Sequence, residues 1–190
     1  MITYIGIDGE MSGNDIDAGH KLIQIGLAKY NEDGGMDHIG YLINPGDMNW
    51  SMEAQEVHQF DRELIRGYGI SPSIVDPIVA RWANPGEQRR DFVMVGFNVG
   101  SFDRPFIKQT LPITYGKFSR RSVDLNSVIF SMSETNTQFE SIKDKAKSYA
   151  FAKMEGMFEG NQNRQHDAEY DAVMSLYCFE YLRTLIKGEK

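Results

Sequence analysis

The chain has 190 residues with 27 acidic and 20 basic side chains, a formal charge of −7 and 41% hydrophobic residues, the profile of an ordinary globular protein. Its 12% aromatic content, spread along the chain, excludes a disordered polymer that could not bury enough surface to offset the entropy of ordering. The acidic balance argues against a protein that holds nucleic acid through a broad basic surface.

Ile2 to Asp8 (ITYIGID) and Leu22 to Tyr30 (LIQIGLAKY) are apolar and β-branched and read as strands. Asn31-Glu-Asp-Gly-Gly35 is a turn signal before MDHIGYLI, so Leu22–Tyr30 and Met36–Ile43 are expected to pair as an antiparallel hairpin. Met52 to Arg66 and Pro72 to Trp82 carry apolar residues at helical spacing. Phe92 to Phe97 (FVMVGF) has the continuous apolar character of a strand covered on both faces, followed by a helical stretch from Phe102 to Leu111. SVDLNSVIF, a helix from about Thr137 to Met154, a polar loop around Gly160–Asn163 and a final helix from about Asp167 to Lys187 complete the order. The pattern is three strands, then alternating helices and strands, without repeats or dividing linkers, and predicts one α/β domain over residues 1–190. No run approaches the ~20 apolar residues of a membrane span. The start MITYIGIDGE lacks the basic residues of a secretory signal, and Cys178 stands alone. The expected setting is the cytoplasm, with no membrane partner.

Three clusters could carry chemistry. Asp8 and Glu10 stand at i and i+2 on the first strand, which puts both side chains on one face about 7 Å apart along the backbone. Two such carboxylates repel and resist desolvation unless a cation neutralises them, and hard cations such as Mg²⁺ or Mn²⁺ suit oxygen ligands. Asp103 follows the apolar run Phe92–Phe97, where ligand sites favour the carboxyl end of a buried strand. His166 and Asp171 are five apart; on one helix they would diverge by about 140°, so His166 must precede the first turn for the two to converge. Each cluster also has a plain structural explanation: Asp8-Gly9 could open a turn, Asp103 could cap a helix, and His166 could be a surface residue. An EF-hand reading of Asp8, Glu10, Ser12 and Gly13 fails, because its twelfth position is Gly19 and a strand precedes it.

Taken together and in order, these clusters resemble the DEDDh family of 3′-to-5′ exonucleases, which includes oligoribonuclease and polymerase proofreading subunits. Asp8-Gly-Glu10-Met-Ser-Gly13 resembles the first motif, Asn98-Val-Gly-Ser-Phe102-Asp103 the second, and His166-Asp-Ala168-Glu-Tyr-Asp171 the third. Asn44-Pro45 and Val57-His58 are similar to segments of the proofreading branch, with Gln59 in place of a glycine; Phe97 stands where a histidine often precedes Asn98. Asp167 occupies the position that holds tyrosine in the sister subfamily and so excludes it. The resemblance implies a ribonuclease-H-like mixed sheet with helices on both faces. It implies two Mg²⁺ or Mn²⁺ ions held by Asp8, Glu10, Asp103 and Asp171, with His166 as general base. Substrate contacts would fall to Met11, Ser12, His58, Asn98 and Phe102, and the substrate would be the 3′ end of short or single-stranded RNA or DNA. The family's branches also imply a homodimer or a polymerase partner. The basic residues Lys117, Arg120, Arg121, Lys143, Lys145 and Lys147 could track phosphates or form solvated faces. A non-catalytic docking module and a ribonuclease-H-like endonuclease are the competing readings.

Overall fold

β1 (Thr3–Met11) sorts its side chains by parity. Ile5 and Ile7 enter one apolar cluster, while Tyr4 and Gly6 face the other side of the sheet. In a computed structural model of the chain, which describes residues 2–86, 91–158 and 166–188, this strand lies at the centre of a five-stranded sheet of order β3-β2-β1-β4-β5. β2 (Leu22–Tyr30) and β3 (Met36–Leu42) form the expected hairpin, with β2 antiparallel to β1. β4 (Phe92–Gly96) runs parallel to β1, and the short β5 (Ser122–Asp124) parallel to β4. β1 does not stop at Asp8. It continues through Glu10 to Met11, with an irregularity between Glu10 and Met11, so Asp8-Gly9 opens no turn.

The expected helical stretch Met52–Arg66 is two helices, α1 (Met52–His58) and α2 (Arg62–Tyr68). Gln59 ends α1 in the left-handed region (φ 61°), and Asp61 starts α2 by accepting a hydrogen bond from the Glu63 N–H at 2.7 Å. α3 (Pro72–Ala83) follows. The helix expected over Phe102–Leu111 is α4 (Asp103–Thr110), and a further short helix not among the expected elements, α5 (Pro112–Lys117), follows it, separated because Pro112 disfavours helical backbone at Leu111. α6 (Leu125–Ser131), α7 (Asn136–Met154) and α8 (Ala168–Lys187) complete the chain. The loop expected at Gly160–Asn163 lies outside the described residues. One core joins Ile5, Ile7 and Met94 to Val75 and Val79 of α3 and Phe106 and Ile107 of α4. The other joins Ala28 and Val95 to α6, α7 and the largely buried α8. Helices thus cover both faces of the sheet. Among the described residues, no helix is long and apolar enough to cross a membrane.

α8 crosses the sheet at unusually close range, and three glycines allow it. A Cβ at Gly26 of β2 would lie 1.9 Å from the Ala168 carbonyl oxygen, one at Gly6 of β1 2.2 Å from that of Ala172, and one at Gly40 of β3 2.8 Å from the Glu169 Cβ. Gly26 is the sheet partner of Asp8, so this contact sets how near the start of α8 comes to the carboxylates of β1. Gly26→Ala is expected to cost about 3 kcal/mol by overpacking and to lower Tm by roughly 10 °C. A thermal melt differing by less than about 2 °C would contradict this packing.

Candidate active site

The parallel pairing of β1 with β4 brings their carboxyl ends side by side at the point where the sheet changes from antiparallel to parallel. Asp8 and Glu10 project from β1, and Asp103 is the first residue of α4, beyond the end of β4. Asp103 is not the N-cap of α4, a position held by Phe102, and its buried carboxylate lies against the backbone N–H groups of Asp103 and Gly9. The start of α8 supplies the remaining groups. His166 adopts left-handed backbone (φ 66°) just before the N-cap Asp167, and its N–H donates to Asp171 Oδ2 at 3.0 Å. The five-residue separation is therefore bridged by a turn before the helix. Gln24, buried on β2 as the sheet partner of Glu10, accepts from the Ala168 N–H at 2.9 Å and ties the helix start to the strand.

These five residues line one open cleft of about 520 Å³. Glu10, His166 and Asp171 each offer a ligand atom, all within 4.8 Å of one another. Burial raises the Asp8 carboxyl well above the usual range, and the charges of Asp103, Asp171, Glu10 and Asp167 raise it further. Burial likewise pushes Glu10 up to about 8, with Asp171, Asp103 and Asp167 adding to the effect. Asp103 is pushed up to about 7 by burial against the pull of its two backbone donors. Asp171 rises to about 6, again by burial, opposed by the His166 N–H and the Lys147 ammonium. A set of carboxylates that resists ionisation when alone, gathered with an imidazole, is the donor chemistry that suits a hard divalent cation.

No protein-family model matches the sequence, and no curated protein is significantly similar to it. Solved structures, however, share its architecture. The zinc-bound form of E. coli exonuclease I with single-stranded DNA has a TM-score of 0.67 at 12% identity, over 99% of this chain and 41% of that one. Exonuclease I from Methylocaldum szegediense gives 0.65 at 12% identity, over 100% and 42%. Exonuclease X in complex with 5′-overhanging duplex DNA gives 0.57 at 13% identity, over 99% and 93%. The chain has the fold of these exonucleases. It spans about two fifths of the exonuclease I chains and most of exonuclease X.

A second cavity of about 300 Å³ adjoins the cleft, sharing Gly9, Glu10 and Phe102 and adding Met11 and His58. His58 is buried rather than superficial, stacked on Phe60 with ring centroids 5.4 Å apart. Its Nδ1 accepts from the Phe60 N–H at 2.9 Å, so Nε2 carries the ring proton and has no partner among the described residues. Burial, helped by the charge of His166, lowers its pKa to about 4 and keeps the ring neutral. Ser12 lines neither cavity: its buried hydroxyl accepts from the Lys21 N–H at 3.0 Å. Asn98 reaches the main cleft from left-handed backbone (φ 58°), its Oδ1 accepting from Asn126 Nδ2 at 3.0 Å.

Of the six basic residues, only Lys143 and Lys147 line the cleft. Lys117 is turned to the Gly86 carbonyl at 3.2 Å, and Arg120, Arg121 and Lys145 are exposed elsewhere. Gln24, Asn126 and Phe151 carry no motif that marks them in the sequence. An amide within the apolar run of β2 is nevertheless a usable signal for Gln24, since a buried polar group needs a partner.

Proposed function

We propose that the chain is a metal-dependent 3′-to-5′ exonuclease acting on single-stranded or short RNA or DNA and releasing nucleoside 5′-monophosphates. The observation that carries this reading is the convergence of Asp8, Glu10, Asp103, Asp171 and His166 in one open cleft. The order of the three motifs and the fold shared with exonucleases I and X support it. Asp8, Glu10, Asp103 and Asp171 would hold two Mg²⁺ or Mn²⁺ ions. Bound there, such ions lower the pKa of water and offset charge on the transferred phosphoryl group.

The chain's own residues then divide the remaining work. His166 takes the proton of the attacking water, the general-base role open to an imidazole that faces the carboxylate cluster. The hydrogen bond from its backbone to Asp171 fixes where the imidazole stands relative to the carboxylates. Met11, His58 and Phe102 surround the terminal nucleoside in the second cavity, where the His58 Nε2–H is a donor without a partner among the described residues. Asn98 lies toward the scissile end.

A 5′-labelled strand of about ten nucleotides incubated with Mg²⁺ or Mn²⁺ is expected to shorten progressively from its 3′ end, and chelator should stop it. His166→Ala should lower turnover by about 10²- to 10⁴-fold, with metal affinity changed far less. Absence of shortening would refute the exonuclease reading, and cleavage of a circular single strand would replace it with an endonuclease. Equal losses of turnover and metal affinity in His166→Ala would refute the role given to His166.

A further inference from the structure

Lys143, Lys147 and Phe151 stand at i, i+4 and i+8 on α7, which aligns them on one face. All three line the cleft that holds the carboxylates. Lysines on a helix normally form a solvated face, and Lys145, on the same helix, is exposed and lies off the cleft. Lys143 and Lys147 differ from it in being half-buried against aromatic rings: the Lys147 ammonium is 5.8 Å from the Phe97 ring centre and that of Lys143 5.7 Å from Phe139. Among the described residues neither forms an ion pair, although the cleft is rich in carboxylates. Two cations are thus held facing the cavity without an ion-paired carboxylate, separated by about 6 Å of helix rise. Phe151 is 39% exposed, lines the same space and lies 6.5 Å from the Tyr170 ring centre.

We propose that this face of α7 is the wall along which a single nucleic-acid strand lies, with successive phosphates on Lys147 and Lys143 and a base stacked on Phe151. The assignment rests on the exonuclease reading for the site it leads into and adds the path of the strand beyond the scissile bond. Alternating cations and aromatic faces are the means by which proteins hold single strands without reading sequence. A duplex would bring a second phosphate backbone against a chain of net charge −7. The wall therefore favours unpaired strands of several nucleotides over dinucleotides and over duplex.

The test is binding of a 5′-fluorescein-labelled oligodeoxythymidine of about ten nucleotides, followed by anisotropy with Ca²⁺ present, over about 30 to 200 mM salt. Each phosphate contact on a single strand contributes about 0.7 to the slope of log Kd against log salt. The double variant Lys143→Gln/Lys147→Gln, which keeps both aliphatic stems, is expected to lose about 1.4 of that slope and to bind roughly tenfold more weakly. Phe151→Ala should weaken binding by about tenfold without altering the slope. Lys145→Gln should change neither. A slope in the double variant within about 0.3 of the unsubstituted protein, or an equal fall in Lys145→Gln, would overturn the proposal. Hydrolysis in Mg²⁺ is scored separately. Loss of slope without any hydrolysis leaves the wall and removes the exonuclease reading; hydrolysis with an unchanged slope does the reverse.

Discussion

Asp8→Asn is expected to reduce strand shortening by about 10³-fold or more and, in the same protein, to raise the stability of the metal-free state. Both effects have one cause. Asp8 lies among Glu10, Asp103, Asp167 and Asp171, whose charges, with burial, make its ionised form unfavourable. Asparagine keeps the shape and removes the charge, so it relieves repulsion in the empty cluster while deleting an anionic metal ligand. A bound cation is worth several kcal/mol of transition-state stabilisation, and each 1.36 kcal/mol is tenfold in rate, so a loss of about 4 kcal/mol corresponds to about 10³-fold. The check is a paired measurement: turnover in Mg²⁺, and Tm in chelator with and without added Mn²⁺. Unsubstituted protein should gain Tm on adding Mn²⁺, whereas Asp8→Asn should start higher and gain much less. A variant that is both inactive and less stable than the parent in chelator would show that Asp8 serves the fold rather than a cation site.

The second large effect is a stability of the metal-free protein that falls as pH rises. Glu10 is raised from 4.5 to about 8 and Asp103 from 3.8 to about 7 in the folded chain, and Asp8 is raised as well. A raised carboxyl pKa means that the folded state binds more protons than the unfolded state between the two values. Its contribution is thus fully present below the unfolded pKa and is lost as pH rises through the folded one. His58 acts in the opposite sense between about 4 and its usual 6.5, because its pKa is lowered. One histidine offsets only one of these carboxyls, so stability falls from about pH 4.5 to 8. The part between about 6.5 and 8, to which His58 contributes nothing, should amount to a few kcal/mol and roughly 5–10 °C in Tm. Saturating Mn²⁺ should abolish the fall, since cation binding requires the ionised carboxylates and releases their protons. Melts at pH 6.5 and 8, in chelator and in Mn²⁺, decide the matter. Equal slopes in both would mean that the carboxylates of the cleft do not share a cation.

Much of this fold is legible in local sequence pattern. The first strand as far as Asp8 and the hairpin of β2 and β3 follow from apolar, β-rich runs around a glycine turn, and the long α8 from its helical periodicity, whereas the continuation of β1 to Met11 does not. The two-residue spacing of Asp8 and Glu10 dictates their common face, and the five-residue spacing of His166 and Asp171 requires a turn before the helix, which the left-handed His166 provides. Helix boundaries are less legible. The break at Gln59–Asp61 depends on one residue in left-handed backbone and one capping carboxylate, neither of which disturbs the apolar periodicity that spans them.

The reactive residues, and which of them share a face of their own strand or helix, are written in the sequence, because backbone geometry repeats with a period of 2 or 3.6 regardless of surroundings. Which of those faces meet is a matter of tertiary packing. Glycines at positions 6, 26 and 40 let α8 descend onto the sheet, and the amide of Gln24 pins its first turn beside Glu10. Ser12 turns inward to Lys21, while His58 is buried with a proton donor unpartnered among the described residues. The same packing turns Lys143 and Lys147, rather than Lys145, toward the cleft. Periodicity carries no information about the partner of a face; that follows from close packing and from the need of each buried polar group for a particular neighbour.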